Sequence, residues 1–142
     1  MLCFSACAQR QWVEIRRENC QSVCWASGDP HYRTFDGASY DFMGSCNFIM
    51  VKHENYLIKS ENTPCGSTGV TCTKSVTVEA YGLSFKLNHG STVTLNNATF
   101  DSADTSFIQS GVALVHAGLF SSLSFAEFGL SIMWDGGITD VM

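Results

Sequence analysis

The chain has 142 residues, 45% of them hydrophobic and 15% charged, so it can bury a real core and is neither disordered nor supercharged. A net charge of −5, with only eight Lys and Arg scattered along the sequence, excludes the basic stripe that neutralises phosphates; nucleic acid is not an expected partner. No apolar run approaches the roughly 18 residues of a membrane span, and residues 1–8 are too short and uncharged for a signal peptide.

Seven cysteines at irregular spacing point to a disulfide framework and an oxidising, extracellular compartment, with any secretion signal lying outside this sequence. The odd count leaves at least one without an internal partner, and none falls after Cys72.

In chain order, residues 1–23 read as a linker or the tail of a preceding cysteine-rich module. Residues 8–19 are polar, with helical potential, and Cys3, Cys7, Cys20 and Cys24 bracket them. The pairs Cys3-x3-Cys7 and Cys20-x3-Cys24 also have a four-thiolate zinc spacing. Residues 24–46 then concentrate cysteines, turn residues, aromatics and acids.

From Tyr40 onward short strands are predicted. Residues 40–51 are aromatic and aliphatic, broken by Gly44, and 55–59 form another short run. Residues 75–80 alternate, with Val76, Val78 and Ala80 on one face; 83–87 repeat this with Leu83, Phe85 and Leu87. Asn88-His89-Gly90 is a turn and 92–95 a return strand. Further strands fit 107–109, 112–116, 123–125 and 130–134, the last ending in Asp135-Gly136-Gly137. Residues 138–142 begin one more, and its abrupt end predicts an unpaired sheet edge. The fold class is all-β: an antiparallel β-sandwich of short strands, incomplete at its C-terminus, with a cysteine-rich N-terminal segment.

One peptide bond carries chemistry of its own. The Asp29 carboxylate can attack its own main-chain carbonyl, closing a five-membered anhydride and expelling the Pro30 nitrogen once that is protonated. Mild acid favours the reaction, and His31 is placed to assist protonation. Pro30 biases Asp29 toward an extended backbone, and holding the carboxylate near attack geometry is worth roughly 7–11 kcal/mol. Gly28-Asp29-Pro30 is equally readable as a plain turn. Asn97-Ala98-Thr99 is an N-glycosylation sequon on a turn. His53, His89 and His116 share no metal-ligand spacing, and no nucleophile elbow or phosphate loop supports a turnover enzyme; single-turnover autoproteolysis is the most that is expected.

The run Cys24-Trp25-Ala26-x-Gly28-Asp29-Pro30-His31-Tyr32-x-Thr34-Phe35-Asp36-Gly37, followed by Tyr40-Asp41-Phe42-x-Gly44-x-Cys46, resembles the opening of a von Willebrand factor type D domain. The version it is most similar to is that of IgG Fc-binding protein, zonadhesin and alpha-tectorin. Cys65-Gly66, the run from Cys72 to Val78 and Gly129-Leu130-Ser131-Ile132-Met133-Trp134-Asp135-Gly136 extend the resemblance over 24–142.

The resemblance implies an extracellular structural or adhesive module of a large glycoprotein, whose partners are extracellular proteins or its neighbouring modules. It implies a Cys65–Cys72 bridge. It also implies that Cys24 and Cys46 pair with cysteines of a Cys-Gly-Leu-Cys-Gly-Asn segment not found in this sequence, and so stand unpaired here. Asp36 matches one calcium ligand, the others coming from an acidic loop that is likewise not found. Calcium is therefore expected of a complete domain and little or none here, and Asp36-Gly37 alone reads as a hairpin turn. Related domains with Gly-Asp-Pro-His cleave themselves, and the anhydride can acylate an amine or hydroxyl of a partner.

Overall fold

The structure is a computed structural model and describes residues 5–8, 11–14, 22–28, 30–66, 69–90, 92–101, 107–109, 111–117, 120–137 and 140–141. Every regular element among them is a strand. The first two, β1 (Ser5–Ala8) and β2 (Gln11–Glu14), pair only with each other, as an antiparallel hairpin. The helical potential expected over 8–19 is therefore not realised at Gln11–Glu14. There the polar–aromatic–β-branched–polar order favours an extended chain, and pairing with Ser5–Ala8 satisfies its backbone.

The motif contributes β3 (Trp25–Ser27), β4 (His31–Arg33) and β5 (Ser39–Asp41). Next comes an antiparallel meander: β6 (Asn47–Lys52), β7 (Tyr56–Pro64), β8 (Thr71–Ala80), β9 (Leu83–Asn88), β10 (Thr92–Leu95) and β11 (Ala98–Asp101). The remaining strands are β12 (Phe107–Gln109), β13 (Val112–Ala117), β14 (Phe120–Phe125), β15 (Leu130–Trp134) and β16 (Asp140–Val141). The meander is a six-stranded sheet, β11-β10-β9-β8-β7-β6, and the rest form an eight-stranded sheet, β12-β13-β14-β15-β16-β3-β4-β5.

The two sheets face each other across one core. Ile58, Val76, Val78, Phe85, Leu87 and Val93 enter from the smaller sheet, and Val112, Leu114, Leu123, Phe125, Ile132 and Trp134 from the larger. The alternation read in β8 and β9 is what places Val76, Val78, Phe85 and Leu87 inward. The Trp134 indole donates to the carbonyl of Asn88 at 2.8 Å, and the Gly90 N–H to Gly136 O at 2.9 Å, so hydrogen bonds also join the sheets.

The expected unpaired edge at residues 138–142 is corrected by the topology. β16 is interior: Val141 pairs with Trp134 on one side and Ala26 on the other, and Asp140 pairs with Ser27. It is the strand that brings the motif into the larger sheet. The sheet edges are β12 and β5 in that sheet and β11 and β6 in the other.

Candidate functional site

The motif at 24–46 folds into the β3–β4–β5 end of the larger sheet, beside the β6 edge of the smaller one. β3 and β4 pair Trp25 with Arg33, Ala26 with Tyr32 and Ser27 with His31, and Gly28 and Pro30 lie between the two strands. Gly28 has φ +68°, a conformation open to glycine at little cost. Pro30 is fully buried, and its carbonyl accepts from the Phe42 N–H at 3.3 Å. Asp29, the predicted nucleophile, lies outside the described residues.

His31 stands opposite Asp41 in the β4–β5 ladder, with Nδ1 2.6 Å from the Asp41 carboxylate and both side chains exposed. A carboxylate at that distance fixes the orientation of the ring and its Nδ1 proton. Sequence reasoning passed over Asp41 because β4 was not read as a strand; the hairpin register is the signal that pairs the two.

Asp36 sits on the exposed β4–β5 turn, where Gly37 N–H donates to Thr34 O at 3.0 Å and Thr34 N–H to Ala38 O at 2.9 Å. The Thr34 hydroxyl holds the Asp36 carboxylate, and that hydrogen bond together with backbone donors moves its pKa below the usual carboxylate range. Calcium takes about six to eight oxygens, whereas the described residues contain no group of three or more His, Cys, Asp or Glu able to hold a metal. They do not fit a calcium site by themselves.

Cys65 and Cys72 are bonded, with Cα atoms 5.8 Å apart at the β7–β8 turn. Cys24 and Cys46 are free thiols; Cys24 is half-buried, and burial pushes its pKa up. Cys3, Cys20 and the side chain of Cys7 lie outside the described residues, as therefore does the zinc spacing. Asn97 is exposed at the Asn96-Asn97 tip of the β10–β11 hairpin, both residues at positive φ, as a two-residue hairpin turn requires. His53 stacks on Tyr56 at 4.6 Å.

Between β4–β5 and β6 lies a hollow of about 320 Å³, walled by Trp25, Tyr32, Tyr40, Phe42 and Phe48. Tyr32 and Tyr40 stack at 5.2 Å, and Phe42 meets Phe48 edge-on at 4.8 Å. Gly44, read from sequence as a strand break, has a second reason: a Cβ there would stand 2.7 Å from the Phe48 ring and closer still to Phe42.

Two polar clusters had no signal in the sequence. Inside the sandwich, Asn62 donates to the Tyr32 hydroxyl at 2.7 Å and accepts from Thr73, linking the two sheets. On the smaller sheet Glu61 accepts from Lys86 at 2.8 Å, Lys74 at 3.0 Å and Ser75 at 2.9 Å, and the two lysines foremost hold its pKa down to about 2.

The model of the family described as von Willebrand factor type D domain matches residues 24–142. SCO-spondin of Gallus gallus is 39% identical over 133 residues, covering 92% of this chain and 2% of its own length. Hemocytin of Bombyx mori is 34% identical over 137 residues, covering 93% of this chain and 4% of its own. Mucin-5AC of Homo sapiens is 30% identical over 138 residues, covering 91% and 2%. The chain thus spans only a few per cent of the length of these relatives. With a family model covering most of its residues and its opening motif folded as one unit, the chain belongs to the von Willebrand factor type D domain family.

Proposed function

We propose that this domain is an extracellular structural and adhesive module of a large multidomain glycoprotein, acting by protein–protein contact through the face formed by β3 to β6. One observation carries the reading. Of nine exposed large hydrophobic side chains among the described residues, Val23, Phe35, Tyr40, Phe42, Met43 and Ile49 fall in or beside that face. Apolar residues gathered in the open rather than scattered mark an interaction surface. Very long relatives, of which one such domain is a few per cent, suit a module whose partners are extracellular proteins or its own neighbours in the chain. The test is biosensor binding of the domain to immobilised neighbouring modules of its parent polypeptide. Phe35→Ser with Phe42→Ser should weaken binding about tenfold or more; unchanged binding would overturn the reading.

A second reading, self-processing at Asp29-Pro30, is favoured by the His31–Asp41 pair next to the bond in sequence. The Asp29 carboxylate oxygen bonds to its own carbonyl carbon, the C–N bond breaks, and the Pro30 nitrogen takes a proton and becomes a new N-terminus. Water, an amine or a hydroxyl then opens the anhydride. Denaturing mass analysis after incubation at about pH 5 to 7 should show two fragments meeting between Asp29 and Pro30, absent in Asp29→Ala. A single intact chain would sink this reading.

For calcium, Asp36 is proposed as one ligand only. Calorimetric titration of this chain should show binding no tighter than about 1 mM.

A further inference from the structure

Resting on the reading of this face as a protein-binding surface, we propose that the hollow between β4, β5 and β6 is its anchor site, taking a tyrosine side chain flanked by an acidic residue on a partner segment. Three features of the hollow specify this chemistry. Its size, about 320 Å³, holds one aromatic side chain with room for its flank, and the Tyr32–Tyr40 stack and Phe42–Phe48 edge pair offer both ring faces and ring edges.

The second feature is the floor. Ser60 occupies an inward position of β7 in line with Ile58, where an aliphatic residue would pack better, and it is 1% exposed. Ser60 is among the residues lining the hollow, and its buried hydroxyl has no hydrogen-bond partner. A buried hydroxyl left unpaired is costly, and a phenol reaching the floor would pair it.

The third feature is the rim. Arg33 is exposed there, and no ion pair to it is found among the described residues. Among the described residues the acids of these hairpins are engaged, Asp36 by Thr34 and Asp41 by His31, so Arg33 is the charge left to an incoming group. A carboxylate beside the inserted ring would meet a guanidinium suited to bidentate contact.

The experiment titrates the 142-residue chain with the peptide acetyl-Gly-Tyr-Glu-Gly-amide, read by calorimetry and by the fluorescence of Trp25 in the hollow wall. Replacing tyrosine by phenylalanine in the peptide should weaken binding about 3- to 10-fold. Ser60→Ala should weaken the tyrosine peptide by the same factor and leave the phenylalanine peptide unaffected, while raising the Tm of the free protein, since it removes an unpaired hydroxyl. Arg33→Gln should abolish the preference for glutamate over glutamine. Absence of saturable binding up to about 10 mM peptide would overturn the proposal, as would binding indifferent to both Ser60→Ala and Arg33→Gln. So would closure of the hollow by a second copy of the chain, seen as a dimer that the peptide does not dissociate. Failure of the peptide with binding to neighbouring modules intact sinks the anchor chemistry alone; loss of both sinks the reading beneath it.

Discussion

In β8 and β9 the apolar residues disappear from solvent: Val76, Val78, Phe85 and Leu87 are all buried, while Lys86 and Glu79 point outward to ion pairs. In β4 and β5 the order is reversed. Tyr32 is buried, and Phe35, Tyr40, Phe42 and Met43 in and beside these strands stay 39–51% exposed. Both regions are rich in large apolar side chains, so composition does not distinguish them. The difference is that folding accounts for the first set and leaves the second unexplained, and the second set is the one available for contact.

The largest expected effect separates the two directly. Phe85→Ala removes a ring that is 1% exposed and should cost about 3–5 kcal/mol in urea unfolding. Tyr40→Ala, on the exposed set, should cost less than about 1 kcal/mol. Next in size, replacing both Cys65 and Cys72 by serine opens the eight-residue loop of the bridge. It should cost about 2–3 kcal/mol, placing the β7–β8 end with the stability-bearing region. Asn62→Ala tests the link between the regions, because it strips the Tyr32 hydroxyl and Thr73 of their shared partner inside the sandwich. A loss of about 1–3 kcal/mol is expected.

The smallest effect is a pH dependence. Glu61 has its folded pKa lowered from 4.5 to about 2, so its contribution to stability is present above pH 4.5 and is lost as the pH falls through about 2. Glu61→Gln should flatten the acid limb of the stability curve within that window. An unchanged limb would mean that Lys86 and Lys74 do not hold the carboxylate in solution.

The part of the fold legible in the sequence is the part where period-two alternation runs long enough to read. β10, β12 and β15 were placed residue for residue, and β8 and β9 in their central portions. β3 and β4 are short and crowded by turn residues on both sides, so they were read only as turn residues and aromatics. β11 was missed because Ala98 and Asp101 carry little strand preference and pairing with β10 decides its conformation. The place of β16 between β15 and β3 is a long-range pairing that no local pattern encodes.

At the candidate site, residue types were legible and partners were not. Asp36-Gly37 is the turn its composition suggested, and Cys65–Cys72 is a bond. Asp41 beside His31, and Ser60 beneath the hollow, come from register and from the facing of two sheets.

The most direct test of the contrast uses the double variant Phe35→Ser, Phe42→Ser, with urea unfolding and association with neighbouring modules measured on one preparation. The account predicts a loss of stability of no more than about 1–2 kcal/mol, well short of that of Phe85→Ala, and association weakened about tenfold or more. A midpoint lowered as far as that of Phe85→Ala, with association unchanged, would contradict it.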